Sequence, residues 1–573
     1  MTPFSKRTVS AIGAVAAVGL AACSSGGTTG AGGSSSAPAA NKGGTLQYVT
    51  FKGSSKWDPN VIYVGAHIEF ANRVFARTLT TFKPGDKLEL AADMATDTGK
   101  SSDGGKVWEF TLRDGLKWED GQEVKCEDVK YGVSKTFDAG YAGGPQYAKQ
   151  FLDVPKVDGK TTYEGPYKGT AQADFDKSIV CDGKKITFKL NQPVADFNWA
   201  VTMTAFAAAR KDKDQGKQGW LNIFSNGPYK LEGGKWDPAK GGTFVRNDNW
   251  DPKSDDLRKA YPDKIVWTQG VDTAIIYDRL IADAGDDKFM VTDRTAPAAK
   301  QAAVLTGPAK ARTINPSAPY VDYLSFNMKR MTNLKVRQAF QVATDRDAYI
   351  AAGGGPTTGT PATGIINPDV KGYKQFDPFQ GAPATGDPAK AKALLTEAGV
   401  PMPVAIKVVY PQTPTADKAF SAMKAKWDAA GFSVTIEAQP DTDYYGNVQD
   451  PTKSKDYDVM WAGWGADWPA ASTVIPPLFD SRINLTAESN GSDYGQYDDA
   501  AANKLMDEAL ATADLETQAK KWGDLDEKIV KTDAAVVPLQ VQKFIFTYGS
   551  GVKNFQISSG LGGFVDLATI AVQ

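Results

Sequence analysis

One short segment concentrates side chains that could bind a charged solute. From Trp461 to Pro469 the sequence is WAGWGADWP, so Asp467 has three tryptophans as neighbours. A carboxylate that aromatic rings shield from water forms a stronger charge-assisted hydrogen bond with an ammonium group than an exposed one does. Aromatic faces add a cation–π attraction of about 0.5–2 kcal/mol. An aspartate that caps a loop above an ordinary aromatic core would show the same pattern, and this alternative stays open. The candidate binding residues of the segment are Trp461, Gly463, Trp464, Gly465, Ala466, Asp467 and Trp468.

This segment follows a predicted strand, at a place where α/β proteins bind ligands. Residues 404–410 and 432–438 have the pattern of strands, and residues 415–430 between them have that of a long amphipathic helix. Strand, helix, strand in this order predicts a parallel sheet. The next predicted strand, 456–461, runs directly into the loop 463–469. Because ligands bind outside the carboxyl ends of strands in open α/β sheets, we expect a binding site at this loop.

Turn residues and hydrophobic alternation predict further elements. Asp387 followed by Pro388 is the start signal of a helix that ends at Gly399. The pattern also predicts strands and one helix in the first third of the chain. The predicted strands cover residues 45–51, 107–113 and 185–190, and the predicted helix covers residues 127–137. The polar, glycine-rich stretch 138–169 is typical of surface loops.

The N-terminus has the pattern of an export signal. Lys6 and Arg7 precede an uncharged apolar run over residues 9–22, which is shorter than the roughly 20 residues that span a bilayer. The run ends in Leu-Ala-Ala before Cys23 and resembles the bacterial lipobox, so we expect cleavage there and lipidation of the Cys23 sulfur. Residues 23–42, rich in Ser, Gly and Thr, then predict a flexible tether. We expect membrane attachment only through this lipid.

The two remaining cysteines suit a disulfide. Cys126 and Cys181 form an even pair in a chain that we expect to leave the reducing cytosol. Their bond would close a loop of about 55 residues and could stabilise the fold by about 4 kcal/mol in the loop-entropy model. Two separate buried thiols are the alternative.

Composition excludes several classes of function. The chain has 65 basic and 67 acidic residues, so it offers no basic field to attract nucleic acid. His67 is the only histidine, which excludes zinc sites with two histidines and leaves a single candidate for a Ser-His-Asp triad. Ser421 and Lys424 match the S-x-x-K spacing of penicillin-recognising enzymes, but they lie inside a predicted helix and no partner motif follows. We expect no catalysis, no metal site and no cofactor.

Seven blocks in chain order resemble one family, the peptide- and nickel-type extracellular solute-binding proteins of ABC importers (family 5). The most diagnostic block, WEFTLRDGLKWEDG at 108–121, is similar to the family pattern "YTFxLRxGVKFxDG". The other blocks are FARTL at 75–79 with LAA at 90–92, VKCEDVKY at 124–131, SNGPY at 225–229, RNDNW at 246–250, SFN at 325–327, and VRQAF at 336–340 with DR at 345–346. The resemblance extends from about residue 44 to about residue 560.

The resemblance implies an α/β fold of the periplasmic-binding-protein type II class. Two lobes joined by hinges would enclose a deep cleft, and a small domain would be inserted in the first lobe. By this analogy the first lobe comprises residues 43–66, 184–312 and 535–573, the small domain comprises residues 67–183, and the second lobe comprises residues 313–534. The expected disulfide would lie within the small domain or at its edge.

The resemblance also implies roles for individual residues. In peptide-binding relatives, an aspartate in a Trp-x-x-Asp loop binds the α-amino group of the ligand, and Trp464 and Asp467 match that motif. Gly463 and Gly465 would leave the backbone open to pair with an extended peptide. A second candidate group lies where relatives line the cleft with a loop: Tyr63, Val64 and Gly65. A purely structural turn would fit these three residues equally well, and no motif indicates which residue holds a peptide C-terminus.

The function implied by the resemblance is capture of a small solute, by expectation a peptide, outside the cytoplasm. We expect a monomer at the outer face of the cell membrane, on the periplasmic side if there is an outer membrane. It would close its lobes over the ligand and deliver it to an ABC permease with ATPase subunits. An oligosaccharide, a metal chelate or another small solute is the first alternative. A surface receptor or a hydrolase on the same fold is the second, although missing catalytic motifs disfavour hydrolysis.

Overall fold

The computed structural model describes residues 42–85, 88–157 and 160–573. The expected signal peptide, the lipidation site Cys23 and nearly all of the expected tether lie outside the described residues. No helix within these ranges is long and apolar enough to cross a membrane.

The strands of the described ranges form one six-stranded, one five-stranded and one four-stranded sheet, together with two-stranded pairs. In chain order they are β1 (Thr45–Val49), β2 (Thr80–Phe82), β3 (Leu90–Ala92), β4 (Lys100–Ser102), β5 (Val107–Thr111), β6 (Lys156–Val157), β7 (Lys160–Thr161), β8 (Ile179–Asp182), β9 (Lys185–Lys189), β10 (Tyr229–Leu231), β11 (Gly241–Arg246), β12 (Lys264–Thr268), β13 (Met290–Val291), β14 (Thr313–Ile314), β15 (Ser317–Phe326), β16 (Gly359–Pro361), β17 (Val404–Pro411), β18 (Phe432–Gln439), β19 (Val459–Gly465), β20 (Val536–Lys543), β21 (Phe546–Thr547), β22 (Val552–Lys553), β23 (Ile557–Ser558), β24 (Phe564–Val565) and β25 (Ala571–Val572).

The α-helices of the same ranges pack on these sheets. In chain order they are α1 (Gly65–Val74), α2 (Cys126–Lys135), α3 (Tyr147–Phe151), α4 (Gln172–Ser178), α5 (Phe197–Ala200), α6 (Thr273–Ala282), α7 (Ala298–Thr306), α8 (Leu334–Ala343), α9 (Arg346–Gly353), α10 (Pro388–Glu397), α11 (Pro414–Ala429), α12 (Asp441–Gln449), α13 (Ile475–Phe479), α14 (Ser481–Asn484), α15 (Ala500–Leu510) and α16 (Leu515–Glu527).

The first lobe is built on the five-stranded sheet, in the order β10-β11-β12-β1-β13. β1 lies parallel to β12 and β13, whereas β11 runs antiparallel to β10 and β12. The ring of Tyr48 on β1 is buried and stacks on Trp267 of β12, with 4.2 Å between centroids. The strand predicted over residues 45–51 is confirmed and ends earlier, at Val49.

The second lobe is built on the six-stranded sheet, in the order β16-β20-β15-β19-β17-β18. β17 and β18 pair in parallel over their whole length with α11 between them, which confirms the predicted parallel unit. Phe420, Met423 and Trp427 form the buried face of α11. The predicted start of α10 is also confirmed, since the Asp387 carboxylate accepts a hydrogen bond from the backbone N–H of Lys390 at 3.0 Å.

The strand that leads to the candidate site is longer and starts later than predicted. We expected residues 456–461, but β19 covers Val459–Gly465, because the ten-residue β15 pairs antiparallel with all of it. On its other side β19 meets β17 only at Val459 and Met460. Within the described chain, residues 461–465 therefore have a strand partner on one side only, and the loop begins at Ala466.

The four-stranded antiparallel sheet, in the order β4-β5-β9-β8, carries the most diagnostic sequence block. Its buried residues, such as Phe110 and Phe188, belong to the same hydrophobic core as Tyr48 of the first sheet. The predicted disulfide is confirmed: Cys126 at the start of α2 is bonded to Cys181 on β8, with 5.8 Å between the Cα atoms.

The prediction of surface loops over residues 138–169 is wrong. This stretch includes α3, and Tyr141, Tyr147 and Tyr163 are all buried. The composition misled because turns rich in glycine carry aromatic side chains into the core without any helical or strand period. Tyr163, for example, stacks on Phe175 of α4 with 4.5 Å between centroids.

The two large sheets are linked by a pair of chain crossings that lie side by side. β14 leads into the second sheet, β21 leaves it, and the two pair antiparallel, with Thr313 opposite Thr547. The domain boundaries stay a prediction, with two changes suggested by strand pairing. β20 hydrogen-bonds to β15, so it belongs with the second lobe rather than the first, and β9 belongs with the small sheet.

Removal of the disulfide tests its contribution to stability. The bond closes a loop between residues 55 positions apart, so its loss increases the conformational entropy of the unfolded chain. We expect the Cys126→Ala, Cys181→Ala double variant to lose about 2–4 kcal/mol of unfolding free energy in chemical denaturation. Reductant should lower the unfolding free energy of the parent protein and leave that of the double variant unchanged. If reductant leaves the stability of the parent unchanged, the expectation is contradicted.

Candidate ligand-binding site

A cavity of about 320 Å³ lies where the start of α1, the end of β19 and the C-terminal segment meet. Its walls come from chain segments far apart in sequence. The lining residues are Tyr63, Gly65, Ile68, Met203, Tyr320, Gly463, Trp464, Gly465, Ala466, Asp467, Leu561 and Gly562. A space of this size approaches the range of small-ligand sites, which are about 300–1,000 Å³.

The carboxylate of Asp467 is the only acidic group among the described lining residues. Its Oδ2 atom accepts hydrogen bonds from the hydroxyls of Tyr63, at 2.7 Å, and Tyr147. Within the described ranges, no group donates a hydrogen bond to its Oδ1 atom, and no Lys or Arg forms an ion pair with it. Burial raises the pKa of Asp467 to about 6, and the two phenol hydrogen bonds oppose that rise only in part.

The two phenols that donate to Asp467 have strongly raised pKa values of their own. Burial raises the pKa of Tyr63 and Tyr147 well above the ordinary value of 10, and the Asp467 charge raises both further. Both hydroxyls therefore remain protonated donors throughout the physiological pH range. They fix the orientation of the Asp467 carboxylate, so that its other oxygen stays free of protein donors.

Trp468 supports the site from behind instead of lining it. Its side chain is 1% exposed, and its indole N–H donates a 2.7 Å hydrogen bond to the carboxylate of Asp196. The hydroxyl of Ser472 donates to the same Asp196 oxygen. The ring of Tyr147 packs edge-on against Trp468, with 4.6 Å between centroids. These contacts join the loop after β19 to the core of the first lobe.

Two glycines are required by close approach on the face of β19. A Cβ atom at Gly465 would lie 2.4 Å from the ring of Tyr320, and one at Gly463 would lie 3.1 Å from the Asp322 carboxylate. Larger side chains would therefore collide with Tyr320 or crowd Asp322. The indole N–H of Trp464 donates to the carbonyl of Thr473 at 2.8 Å, which fixes this ring in the cavity wall.

Three of the predicted site residues lie outside this cavity. Trp468 is buried behind it, and Val64 precedes α1 with its side chain 53% exposed. Trp461 lines a separate cavity on the same sheet. The remaining predicted residues come together in the cavity wall: Tyr63, Gly65, Gly463, Trp464, Gly465, Ala466 and Asp467.

Other residues of the site were missed from the sequence. Tyr147 lies in the stretch assigned to surface loops, and it reaches Asp467 across 320 positions of the chain. Tyr320 belongs to β15, whose pairing with β19 sets it opposite Gly465. No local pattern marks Ile68, Met203, Leu561 or Gly562 as neighbours of the loop. In the described ranges, no group of three or more His, Cys, Asp or Glu side chains could hold a metal ion.

Comparison with known families identifies the chain. The family model of the bacterial extracellular solute-binding proteins, family 5 (middle region), matches residues 89–486. The chain belongs to this family of solute-binding proteins. As a family 5 member it shares the α/β, two-lobed architecture of periplasmic binding proteins, so the expected fold class is confirmed.

Individual relatives of this family 5 protein are named for different ligands. It is 24% identical over 481 residues to the glutathione-binding protein GsiB of Salmonella paratyphi A, covering 82% of this chain and 84% of the relative. It is 25% identical over 460 residues to the probable deoxycholate-binding periplasmic protein YgiS of Escherichia coli K12, covering 77% and 78%. These names concern the relatives.

Solved structures extend the likeness to almost the whole chain. The clavulanic acid biosynthesis oligopeptide binding protein 2 is 26% identical with a TM-score of 0.84, over 93% of this chain and 96% of that one. DppA from Helicobacter pylori, in complex with the peptide STSA, is 20% identical with a TM-score of 0.69, over 93% and 98%. The second likeness concerns the fold alone.

The raised pKa of Asp467 predicts how the unliganded family 5 protein responds to pH. Since the pKa rises from an ordinary 3.8 to about 6, the contribution of this group to stability is full below about pH 4 and is lost as pH rises through 6. Asp467→Asn removes the charge but keeps an oxygen for the phenols. We expect the variant to exceed the parent by about 1–3 kcal/mol in chemical denaturation at pH 8 and by less at pH 5. If the variant and the parent were equally stable at pH 8, the Asp467 charge would not destabilise the unliganded protein and the expectation would be wrong.

Proposed function

We propose that this protein is the lipid-anchored, extracytoplasmic binding component of an ABC importer, and that it captures a peptide through its α-amino group. The observation that carries the proposal is the Asp467 carboxylate, which lines the cavity and has no cationic partner among the described residues. A partly buried charge without a counter-charge is costly, so a ligand that supplies one gains affinity from that cost.

A peptide ammonium suits the free oxygen of Asp467. Both phenol donors occupy Oδ2, so Oδ1 remains available to a third donor from the cavity. An ammonium group donates up to three hydrogen bonds and carries the missing positive charge. The ring of Trp464 in the same wall adds an aromatic face.

The free edge of β19 suits the peptide backbone. Residues 461–465 pair with β15 on one side and have no strand on the other within the described chain. The Trp461 carbonyl accepts from the Tyr444 hydroxyl at 2.6 Å, so the edge open to a ligand comprises residues 462–465. An extended peptide that begins at Asp467 could add to this edge as a further strand. Main-chain pairing depends little on ligand side chains, so it supports a protein that accepts peptides of several sequences.

The arrangement of the walls supports closure upon the ligand. Tyr63 and Tyr147 belong to the part of the chain that includes the first sheet, whereas Asp467 follows β19 of the second. A ligand held in the cavity would contact both parts of the chain and stabilise the closed form of the two lobes, which would then dock on the permease. The peptide- and glutathione-binding relatives favour a ligand with an amine, since both kinds of ligand carry a free amine.

A solute without an amine is the competing ligand class. One relative is named a probable deoxycholate-binding periplasmic protein. Deoxycholate would bring a carboxylate, which Asp467 would repel when ionised. The residues of this cavity therefore favour the peptide over the bile acid.

Calorimetry with one peptide and its blocked form tests the amine. We expect trialanine to bind the parent protein, and N-acetyl-trialanine to bind at least about tenfold more weakly, because acetylation removes the ammonium charge. Asp467→Asn should weaken trialanine binding by about 10–100-fold. Asp526→Asn is the matched control, since Asp526 is a buried carboxylate outside the cavity that accepts only from backbone N–H groups of Ile365 and Ile366.

The pH dependence of the same titration adds a second readout. The ammonium binds the ionised carboxylate, so below about pH 6 a proton must leave Asp467 before the ligand binds. We expect Kd to rise about tenfold per pH unit below 6 in the parent protein and to stay flat in Asp467→Asn. Equal binding of the free and the acetylated peptide would remove the assigned role from Asp467.

Lipid attachment at Cys23 has its own test. We expect the expressed protein to incorporate a labelled fatty acid and to fractionate with membranes, since two or more acyl chains give stable anchoring. Cys23→Ser should lose the label and appear in the soluble extracytoplasmic fraction, while Cys126→Ser should keep the label. A labelled Cys23→Ser variant would overturn the lipidation site.

A further inference from the structure

A second cavity, of about 230 Å³, lies on the same sheet beyond the Asp467 site. It opens between the carboxyl end of β17, the first turn of α11 and β19. Four aromatic side chains and one amide dominate its wall: Tyr349, Phe420, Tyr445, Trp461 and Gln540. Among the described residues that line it, none carries a charge.

A buried carboxylate lies directly behind this wall. Asp322 on β15 is 3% exposed and accepts hydrogen bonds from Gln540 and Gln542, both at 2.7 Å, and from the hydroxyl of Tyr349 at 3.1 Å. All three donors are neutral, and no Lys or Arg of the described chain forms an ion pair with Asp322. Burial raises the pKa of Asp322 in consequence. A negative charge in such a position attracts a cation from the nearest space that can hold one.

Three donors of the cavity wall, on Trp461, Tyr349 and Gln540, are used in a network that ends at Asp322. The indole N–H of Trp461 donates to the hydroxyl of Tyr349 at 2.8 Å, and that hydroxyl donates to Asp322. The amide N–H of Gln540 is used in the same way, while its Oε1 atom is buried and has no hydrogen-bond partner. What the wall offers to the cavity is aromatic faces. A ligand group that carries positive charge matches these faces and the charge of Asp322 behind them.

The second cavity lies close to the proposed peptide path along β19. Gly463 lines the first cavity, and a Cβ atom there would lie 3.1 Å from Asp322 and 3.3 Å from the ring of Trp461. Trp461 lies six positions before Asp467, which is about 20 Å in extended chain. A ligand strand that starts at Asp467 and follows the free edge of β19 would therefore bring a later side chain to the second cavity.

We propose that the second cavity holds a cationic side chain of the bound ligand, a guanidinium or an ammonium group, with Asp322 as its counter-charge. The inference rests on the proposed function, because Asp467 fixes one end of the ligand. It adds a preference that the Asp467 site cannot supply. The backbone contacts of β19 would accept peptides of many sequences, and the second cavity would select those with a basic residue at one position.

Arginine and citrulline form the sharpest pair of probes. Citrulline keeps the planar shape of the arginine side chain but is neutral, and a carbonyl oxygen replaces one of its NH2 groups, which leaves about three of the five N–H donors. We would titrate the protein with alanine peptides of two to five residues, with arginine or citrulline placed at each position after the first. At one position the arginine peptide should bind at least about tenfold more tightly than its citrulline partner, as expected for a hydrogen-bonded charge pair.

Two variants and a control locate the preference. Asp322→Asn should reduce the arginine-to-citrulline ratio to about twofold or less and leave all-alanine peptides bound within about twofold of the parent. Tyr349→Phe, which keeps the ring and removes the hydroxyl relay, should lower the ratio even if Asp322→Asn does not fold. Asp526→Asn, which removes a buried carboxylate elsewhere, should leave the ratio unchanged.

The outcomes separate the two proposals. If alanine peptides bind but arginine and citrulline are equivalent at every position, the cationic site is wrong and the proposed function stands. A tighter complex with phenylalanine than with arginine at the reaching position would make the cavity an aromatic pocket and would also overturn the inference. If no peptide binds, the proposed function fails and the cationic site fails with it.

Discussion

The architecture of the site depends on the carboxylate of Asp467, which has no counter-charge among the described residues. Tyr63 and Tyr147 hold one oxygen of Asp467 and leave the other facing a cavity. Phenols are suited to this task because they donate without neutralising the charge. A lysine or an arginine in their place would form an ion pair and remove the reason for a cationic ligand to bind. The cost appears as the raised pKa of Asp467.

The loop after β19 can keep an unpaired carboxylate in place because its other residues are packed and hydrogen-bonded. Trp468 is enclosed by the core of the first lobe and bonded to Asp196, and Ser472 donates to the same carboxylate. Asp196 is buried, and its Oδ2 atom accepts hydrogen bonds from both Trp468 and Ser472. The sequence pattern of an aspartate among tryptophans left a structural and a binding interpretation open. The structure supports a division between neighbours, in which Trp468 is structural and Asp467 is directed to the cavity.

Local patterns in the sequence were sufficient where local physics decides the outcome. The Asp387 cap, the parallel pair β17 and β18, and the disulfide between Cys126 and Cys181 all follow from short-range signals. The extent of β19 did not, because it is set by pairing with β15, more than a hundred residues earlier in the chain. Tyr147 was missed for the same reason. Its role arises only when a helix in a glycine-rich stretch packs on Trp468, and no periodicity encodes that contact.

The two carboxylates next to β19, Asp467 and Asp322, differ in a way that bears on selectivity. Asp467 touches its cavity directly, so a ligand amine can bind it in contact, whereas Asp322 acts through Tyr349 and Gln540. A direct contact discriminates by charge and by hydrogen-bond geometry. A charge one layer behind an aromatic wall discriminates mainly by sign, because the long-range Coulomb attraction survives where a specific bond does not. Such a site tolerates variation in the length and shape of a basic side chain, which suits a protein whose remaining contacts are with the ligand backbone.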